Sequence, residues 1–550
     1  MLFYQENSSK KNQRKSYFSS FFLFFLFFLF LLSVQHNVFA QFSEEAKVEI
    51  PVEKRKDMTF EALSFVEKGI LLFSSEKGEN STRKYIFRKY DKNLNPVWIK
   101  EYVLDNRFAY KINAKELSED KAYFLYYQSA KKIVAILQVD FESGELDFKQ
   151  AESPVSIDFA EMQVFGKNAF IVGEVGRELT VLDFSFFDNK IKVVPDVFKK
   201  NLKIRDLSVD YDNVKGYIVA KKTEKRSECD IVIKSFQSDG RLIENLEVKT
   251  RDNQTLIFAK HLVIKDKQFL VATYGESCKE YANGLAFVRV SPDNQQEYIK
   301  YISFSDLQNF FKYMSKGQQK RTYKRIEKQR AKGKSVNYRY SIILHKLIKK
   351  GENIVVVGEA YETNTQNNMN NNYYNGYSGF RPYGFGQFYN PYAPMSPYNN
   401  MNMRPSFVYS HAFMVEFDQN GKIVADNILS LDDMQMQELQ RVVVPHIGKT
   451  KDVLFQLNTD QYKISAFKGN DSIFRSKKEY YKNPNKEEYP SEKEEKKAHI
   501  DINDASITSW YDDYFVLYGI SLKNPNDLFS SEKYFHLKKM VFTLPKRKRE

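Results

Sequence analysis

A hairpin pattern that recurs about every fifty residues is the feature that most constrains the fold of this chain. In residues 85–103, YIFRKYDKNLNPVWIKEYV, apolar and charged residues alternate, break at DKNLNP and alternate again, which predicts two strands joined by a turn. Similar hairpins begin at six later positions: Ala135, Val181, Ile231, Ala286, Ala412 and Lys463. Their turns lie about fifty residues apart, except for one gap of about 125, and such a period indicates a repeat architecture.

A second pair of predicted strands precedes each hairpin, so every repeat contains four strands. Residues 58–75, MTFEALSFVEKGILLFSS, form such a pair ahead of the first hairpin. Inner runs such as NIVVVGEA at 353–360 are continuously apolar, as expected of strands that are buried on both faces. Four strands per fifty residues are typical of a propeller blade. Through this strand rhythm and its turns the chain resembles the β-propeller superfamily, without the signature of any named propeller family, and we predict an all-β fold.

The repeat length also predicts the number of blades. Without the three irregular segments 306–337, 363–406 and 477–498, residues 41–550 retain about 410 positions, which suits eight four-stranded blades, with seven as the second choice. Two stacked β-sandwich domains are a third alternative, which the regular period disfavours. The last repeat supplies only three strands. We expect the N-terminal strand at 46–53 to provide the fourth and to close the ring, which removes exposed sheet edges.

Residues 1–40 have the pattern of a secretory signal peptide. A basic stretch precedes twelve apolar residues at 21–32, and small or apolar residues stand before an expected cleavage at Gln41. A membrane-spanning helix needs about 20 apolar residues, so this run fits a signal better than an anchor. Cleavage would leave residues 41–550 as a single propeller domain without a transmembrane segment. We therefore expect an exported protein, in the periplasm or at the cell surface, and the chain resembles uncharacterised exported envelope propellers of Gram-negative bacteria.

The net charge of +14 is confined to three segments, and the remaining chain is neutral. These segments are the signal, the tail KRKRE and residues 306–337, in which ten Lys or Arg accompany only two acids. Because the excess is local, affinity for nucleic acid is not predicted for the fold as a whole.

Residues 306–337 predict a basic helical insertion. Four apolar residues have the spacing of one helix face: Leu307, Phe310, Phe311 and Met314. Ser305 or Asp306 would cap this helix, and Gly317 would weaken or end it. A second, very basic piece, helical or turn-forming, would follow. Docked by its apolar face, the insertion would present six cations to phosphate or carboxylate groups of an anionic partner: Lys320, Arg321, Lys324, Arg325, Lys328 and Arg330. The alternative is a solvated lid that packs on the propeller and binds nothing.

Two further segments depart from the repeat. Residues 363–406 are rich in Asn and Tyr and nearly uncharged, a composition that predicts disorder. Aromatic residues in this low-complexity insertion could stack on sugar rings or on a protein: Tyr373, Tyr374, Phe380 and Tyr383. A loop without function is the alternative. Residues 477–498 form a charged loop.

Chain direction within a blade predicts where these features lie. Adjacent strands are antiparallel, so the loops between second and third strands share one face with the crossings between blades. The three irregular segments and both cysteines, Cys229 and Cys278, fall in or beside such connections. We therefore expect them all on one face, where the cysteines of adjacent blades could form a disulfide.

No catalytic residue, metal site or cofactor is predicted. The histidines are scattered, His261 and His345 lie in apolar strands where core histidines are expected, and no nucleophile motif, phosphate loop or EF-hand loop is present. Asp501, Asn503 and Asp504 offer only a weak calcium-ligand pattern. The leading hypothesis is a non-catalytic exported propeller that binds an envelope protein or glycan through the insertion-bearing face. A hydrolase or lyase that acts on polysaccharide with carboxylates near the channel mouth, and a structural component of an envelope assembly, remain alternatives.

Overall fold

The computed structural model describes residues 41–543, with interruptions at 54–57, 177, 196, 198–200, 226–227, 252–253, 279–280, 335, 365–405, 437–438, 459–460, 477–478, 481–505 and 523–531. Glu44–Met540 form one compact unit, and the two chain ends form a second. Of that second unit the structure describes only 41–43 and 541–543, which belong to the first and last strands.

Nearly all regular structure in the described residues is β-strand. The strands are β1 (Gln41–Val52), β2 (Thr59–Ser64), β3 (Ile70–Lys77), β4 (Thr82–Tyr90), β5 (Pro96–Asp105), β6 (Ala109–Glu116), β7 (Lys121–Gln128), β8 (Ile133–Asp140), β9 (Leu146–Glu152), β10 (Asp158–Phe165), β11 (Asn168–Val175), β12 (Glu178–Ser185), β13 (Lys190–Val193), β14 (Leu202–Asp210), β15 (Lys215–Lys225), β16 (Glu228–Gln237), β17 (Leu242–Val248), β18 (Thr255–Ile264), β19 (Lys267–Gly275), β20 (Tyr281–Ala282), β21 (Gly284–Val290), β22 (Gln296–Ser303), β23 (Tyr340–Leu344), β24 (Ile348–Lys350), β25 (Asn353–Asn364), β26 (Ser406–Phe417), β27 (Ile423–Met436), β28 (Val443–Ile447), β29 (Asp452–Asn458), β30 (Gln461–Lys468), β31 (Asp471–Arg475), β32 (Glu479–Tyr480), β33 (Ser506–Ser509), β34 (Tyr514–Leu522) and β35 (Lys533–Thr543). The helices are α1 (Lys316–Arg330) and the 3₁₀ turns Val66–Lys68, Ser129–Lys131, Phe304–Asp306 and Phe310–Tyr313.

These strands form eight antiparallel sheets, which are the blades of a propeller. Blade 1 is β2-β3-β4-β5, and blades 2 to 7 follow in chain order with first strands β6, β10, β14, β18, β23 and β28. Blade 8 has the order β1-β35-β34-β33, so the N-terminal strand supplies its outer edge and closes the ring. The prediction of an all-β propeller with eight blades and this closure is confirmed.

The short turns form where the sequence supplies Asp. In the first hairpin, the Asp91 carboxylate accepts hydrogen bonds from the backbone N–H groups of Asn93 and Asn95, both at 2.8 Å. Asp418 accepts the N–H groups of Asn420 and Lys422 in the same way in blade 6. The Asp carboxylates accept N–H groups that would bond to a neighbouring strand if the chain stayed extended. The alternation of apolar and polar residues therefore stops at these turns.

The core lies between neighbouring blades. The second strands β3 and β7 are almost wholly buried, whereas the outer strand β5 is mostly exposed. Phe73 of blade 1 stacks on Phe124 of blade 2, with ring centroids 4.7 Å apart. Each such aromatic side chain stabilises the fold by roughly 1.5–3 kcal/mol through burial. Packing of these side chains therefore fixes the position of each blade against the next.

Chain direction gives the propeller two distinct faces. We call the face that carries the connections between second and third strands, and the crossings between blades, the insertion face; the opposite one, with the hairpin turns, is the turn face. The crossing from β22 to β23 contains α1 and lies on the insertion face. No helix among the described residues has the length and apolar character to span a membrane.

Several features that were predicted from the sequence fall outside the described residues. They are the signal at 1–40, the aromatic positions Tyr373, Tyr374, Phe380 and Tyr383, and most of the charged loop at 477–498. Only the flanking ends of the second insertion, at Asn364 and Ser406, are described, and they pair with each other.

Candidate functional site

The insertion between blades 5 and 6 begins with an apolar turn, not with the helix that the spacing predicts. Phe310 and Phe311 lie in a 3₁₀ turn and are fully buried. The Asp426 carboxylate of blade 6 accepts the backbone N–H groups of Gln308 and Asn309, at 3.1 and 2.6 Å. The prediction of a helix over 307–314 is therefore wrong, because a neighbouring strand fixes this segment in a turn.

The α-helix starts later, at Ser315. The Ser315 side chain accepts the N–H of Gln318, whose own side chain accepts the N–H of Ser315, which is a complete capping box. Gly317 lies inside the first turn with open space around it. The expectation that Gly317 weakens or ends a preceding helix is wrong, because no helix precedes it and the cap at Ser315 starts one. The second, very basic piece that was expected to follow is helical.

One side of α1 is docked on the apolar turn. Ile326 is buried, and the Tyr323 hydroxyl donates to the carbonyl oxygen of Gln308 at 3.0 Å. At the end of the helix, Arg330 donates to the carbonyl oxygen of Ser305 at 2.8 Å and to the Asp306 carboxylate at 2.6 Å. These contacts extend from Tyr323 to Arg330 and fix which side of the helix faces solvent.

The opposite side of α1 presents five exposed cations, which we call the basic arc: Lys320, Arg321, Lys324, Arg325 and Lys328. At 100° per residue they span an arc of about 140° centred away from the docked side. None of the five pairs with a carboxylate of the described residues. Arg330, the sixth predicted cation, lies outside the arc because it contacts Asp306.

A loop of blade 5 reinforces this part of the insertion face. We call the described residues of this loop, 275–278 and 281–284, the strap. Within it, Cys278 forms a disulfide with Cys229 of blade 4, with their Cα atoms 5.7 Å apart, and its carbonyl oxygen accepts from Lys221 at 3.0 Å. Near its C-terminal end β20 pairs with β23 of blade 6, and near its start Glu276 binds Arg339 at 2.8 Å. The strap therefore ties three blades together beside the chain that leaves α1.

The innermost strands carry a second concentration of charge. A β-bulge interrupts the first strand of four successive blades, at Tyr110/Ile112, Phe159/Glu161, Ile204/Asp206 and Leu256/Phe258. In blade 6, residues 345–347 between β23 and β24 stand opposite only two residues of β25, which is the same irregularity. Bulges re-aim side chains and are frequent beside functional sites.

The charged residues at and beside these bulges, with Glu359 of β25 and Arg441 before β28, form what we call the axial cluster: Glu161, Arg205, Asp206, Lys260, His345, Lys346, Glu359 and Arg441. Lys260 donates to the Asp206 carboxylate at 2.7 Å, and both side chains are almost fully buried. Lys346 of blade 6 reaches Glu161 of blade 3 at 2.6 Å. Because these two blades are three positions apart in the ring, this ion pair spans the axis.

Backbone groups hold the outer members of the cluster. Glu359 accepts the N–H groups of Val442 and Val443 at 3.0 to 3.1 Å, and it is bonded to His345 Nε2 at 2.7 Å. Asp206 also accepts the backbone N–H of His261 at 3.0 Å. Each carboxylate thereby joins its own blade to the following one.

Burial and charge act against each other on the ionisation of the cluster. Although burial opposes ionisation of Asp206, the charges of Lys260 and Lys346 hold its pKa below the ordinary value. Burial lowers the pKa of Lys260 and of His345, despite the neighbouring carboxylates. The lowered pKa of His345 favours its neutral form.

A further buried acid lies between blades 1 and 2. Tyr110 donates to Glu61 at 2.8 Å, Asn113 also donates to it, and burial raises the pKa of Glu61 to about 8. Its side chain is only 1% exposed, so it links two blades and does not face solvent.

The two strand histidines are core residues, as the sequence indicates. His261 is buried, with Nδ1 at 2.8 Å from the Ser208 hydroxyl and Nε2 at 3.2 Å from Gln268 Oε1, and burial lowers its pKa to about 4. His345 is equally buried in the axial cluster. The sequence does not reveal the cluster itself, because its members lie in separate blades and share no motif; the nearest signal is a charged residue inside an apolar first strand.

Comparison with known proteins adds little to this geometry. No protein-family model and no curated protein matches the chain. Among solved structures, a prolyl endopeptidase is similar over 84% of this chain, at 10% identity and a TM-score of 0.36. The match covers 55% of the endopeptidase, so this chain spans about half of that protein's length. The polysaccharide lyase Uly1 matches 79% of this chain and 89% of its own at 8% identity and a TM-score of 0.34. The β-propeller domain of the trilobed protease from Pyrococcus furiosus matches 80% and 98% at 10% identity and a TM-score of 0.33. At these scores the similarities carry no functional argument, and the chain is a β-propeller by its own strand order.

Proposed function

We propose that this protein is an exported binding propeller that holds an anionic polysaccharide on its insertion face, through the basic arc of α1. The single observation that carries the proposal is the set of five exposed cations on one side of a helix whose other side is docked. Export is part of the proposal and is supported by the signal-like pattern of residues 1–40.

Like charges on neighbouring helix turns oppose helix formation. Lys320, Lys324 and Lys328 are four residues apart, as are Arg321 and Arg325, and each such pair costs about 0.2–0.5 kcal/mol. A solvated lid would gain stability from alternating signs at these positions. A concentration of one sign of charge on a fixed surface favours a ligand that neutralises it.

The shape of the arc favours a linear polyanion over a single anionic group. Residues 320 to 328 rise about 12 Å along the helix, at 1.5 Å per residue. Regularly spaced carboxylates or sulfates of a polysaccharide can contact several of these side chains at once, which a single phosphate cannot. Tyr281 of the strap, 57% exposed on the same face, offers an aromatic ring for a sugar.

The test measures binding of the purified protein to polygalacturonate and to heparin at low and moderate salt. Replacing all five cations of the basic arc by Gln should weaken binding at least tenfold and flatten its salt dependence, because fewer counterions are released. A matched control replaces five exposed lysines of the turn face by Gln: Lys92, Lys167, Lys190, Lys422 and Lys468.

Equal losses in the two variants would show attraction to net charge alone and would overturn the proposal. Unchanged binding after substitution of the arc would overturn it as well. Tighter binding to a single-stranded oligonucleotide than to either polysaccharide would reject the glycan as the partner.

A further inference from the structure

The outer strand β5 of blade 1 exposes more large apolar side chains than any other described strand. Val97, Ile99 and Val103 are 53%, 58% and 57% exposed, whereas no other strand among the described residues contains more than one such side chain. The three share one face of the strand, because they stand at odd positions, and Trp98 and Tyr102 on the other face pack toward blade 2. β5 therefore carries an apolar row at the rim of the propeller.

Other outer strands of the same molecule show which residues solvent contact alone favours. The exposed positions of β9 are Asp147, Gln150 and Glu152, and those of β22 are Glu297 and Lys300. Single apolar residues at a protein surface are ordinary. An alternating row that is confined to one outer strand is different, and it favours a surface that a partner covers.

The backbone of β5 also has a free edge. Among the described residues this strand pairs only with β4. The N–H of Asn106, directly after the strand, donates to the carbonyl oxygen of Ser81 at 2.9 Å, so the even-numbered backbone groups of β5 turn toward β4. The odd-numbered groups from Ile99 to Asp105 turn outward. A strand that adds to this edge would therefore bond to the residues that carry the apolar row.

A second copy of β5 fits this edge in one antiparallel register. When Ile99 stands opposite Val103 of the second copy, Lys100 stands opposite Tyr102, where a cation can lie against an aromatic ring. The only like charges placed directly opposite each other are then the two copies of Glu101, and each of these is already paired with Lys84 at 3.3 Å. Displacement by two residues toward the start of the strand would instead place Lys100 opposite Lys100. Charge and apolar contact thus select the same register.

We propose that β5 is a dimer interface, at which two copies of the protein pair their blade 1 edges antiparallel about a twofold axis at Glu101. The pairing joins two blades into one continuous sheet and covers Ile99 and Val103 of both copies. A contact between identical patches closes on itself and stops at two copies. A single edge of ten residues is a small interface beside the about 1,200–2,000 Å² of a stable complex, so we expect a dissociation constant of about 1–100 μM.

Sedimentation equilibrium of the purified protein, between about 1 and 200 μM, measures this dimer by mass action. Substitution Ile99→Lys places a cation in the apolar row and should weaken dimerisation at least tenfold. The matched control is Val424→Lys, which changes an exposed apolar residue of the outer strand β27 in blade 6 and should leave dimerisation unchanged.

Covalent capture tests the register and decides the proposal even if Ile99→Lys folds poorly. Glu101→Cys places two cysteines opposite each other on the twofold axis, where the Cα atoms of a hydrogen-bonded antiparallel pair are about 5.5 Å apart, within the range of a disulfide. Oxidation with copper phenanthroline should link at least ten times more of this variant into dimers than of Glu247→Cys. Glu247 is the matched control, because it lies in the outer strand β17, is 47% exposed against 53% for Glu101, and pairs with Lys222 at 3.2 Å.

A mass that stays that of the monomer up to about 200 μM would overturn the proposal. Equal weakening by Ile99→Lys and Val424→Lys, or equal crosslinking of the two cysteine variants, would do the same, because the contact would then lie outside β5. A monomer that binds a synthetic peptide of residues 95–106 would assign the edge to an extended segment of another protein and would reject the second copy. None of these variants alters the basic arc, so the outcome is independent of polysaccharide binding.

Discussion

The basic arc and the axial cluster are both rich in Lys and Arg, yet their cations are in opposite physical situations. Those of the arc are exposed and without carboxylate partners among the described residues. In the axial cluster, Lys260 and Asp206 are 3% and 2% exposed and bonded at 2.7 Å. The same side-chain chemistry therefore serves solvent-facing attraction in one place and internal joining of blades in the other.

The difference shows that the environment of a charge decides its effect. An exposed charge acts through water, is screened over about 10 Å at 0.1 M salt, and contributes little to folding. A buried charge has lost its hydration, so removal of its partner leaves a large uncompensated cost. The axial cluster should therefore respond to mutation through stability, and the basic arc through binding.

The largest expected effect is at the buried pair. Substitution Lys260→Ala leaves the Asp206 carboxylate buried without its cation and should lower the free energy of unfolding by about 3–5 kcal/mol in urea denaturation. The control is Lys265→Ala at the end of the same hairpin, where the pair with Glu352 is 72% and 58% exposed and should contribute about 0–1 kcal/mol. Similar losses in both variants would contradict the contrast between buried and exposed charge.

An intermediate effect is expected where the insertion meets the propeller. His411 is fully buried, stacks on Tyr313 with centroids 4.0 Å apart and contacts Phe310 at 4.7 Å. Burial lowers the pKa of His411 to about 3. The unfolded chain therefore binds more protons below its ordinary pKa of 6.5, so the contribution of His411 is present above that pH and is lost as the pH falls toward 3.

Between pH 7 and pH 5 this loss should amount to about 2 kcal/mol. The free energy of unfolding in urea is measured at pH 7 and pH 5 for the unsubstituted protein and for His411→Phe. The difference between their pH dependences is the contribution of His411, because the other buried histidines contribute equally in the two proteins. An identical pH dependence in the two proteins would show that His411 does not make docking of the insertion acid-sensitive.

The smallest effect is expected on the basic arc. Substitution Lys324→Gln relieves repulsion from Lys320, Lys328 and Arg321, and should raise the free energy of unfolding by less than about 1 kcal/mol. The gain should vanish at about 1 M salt, where the Debye length is near 3 Å. A loss of stability at low salt would mean that Lys324 has a structural partner.

The fold follows from the sequence because each blade repeats the same local rules. The turn at Asp91 and the apolar run of β25 report strands and reversals that depend on nearby residues alone. The strand at 46–53 is predicted for ring closure because the last repeat lacks one, and β1 (Gln41–Val52) occupies that place. Regular alternation thus carries enough information for architecture.

The candidate sites are less accessible to such reasoning. The spacing of Leu307 and Phe310 suits a helix, but the competing acceptor is Asp426, more than a hundred residues away. Glu161 and Lys346 meet only because bulges turn them toward the axis, and a bulge leaves no composition signal. The basic residues of α1 were visible in the sequence, whereas the docked side that orients them was not.

Closure of the ring by β1 has a consequence for how the molecule can assemble. Glu44 and Glu45 of the first strand pair with Lys538 and Lys539 of the last, at 2.9 and 3.2 Å, across almost the whole length of the chain. During synthesis β1 leaves the ribosome before the other described strands, and its neighbour β35 is the last of them to emerge. Until β35 is present, the backbone edge of β1 can pair with strands of other molecules. Pairing of β1 with β35 therefore closes the ring and also removes an edge through which the unfinished chain could aggregate.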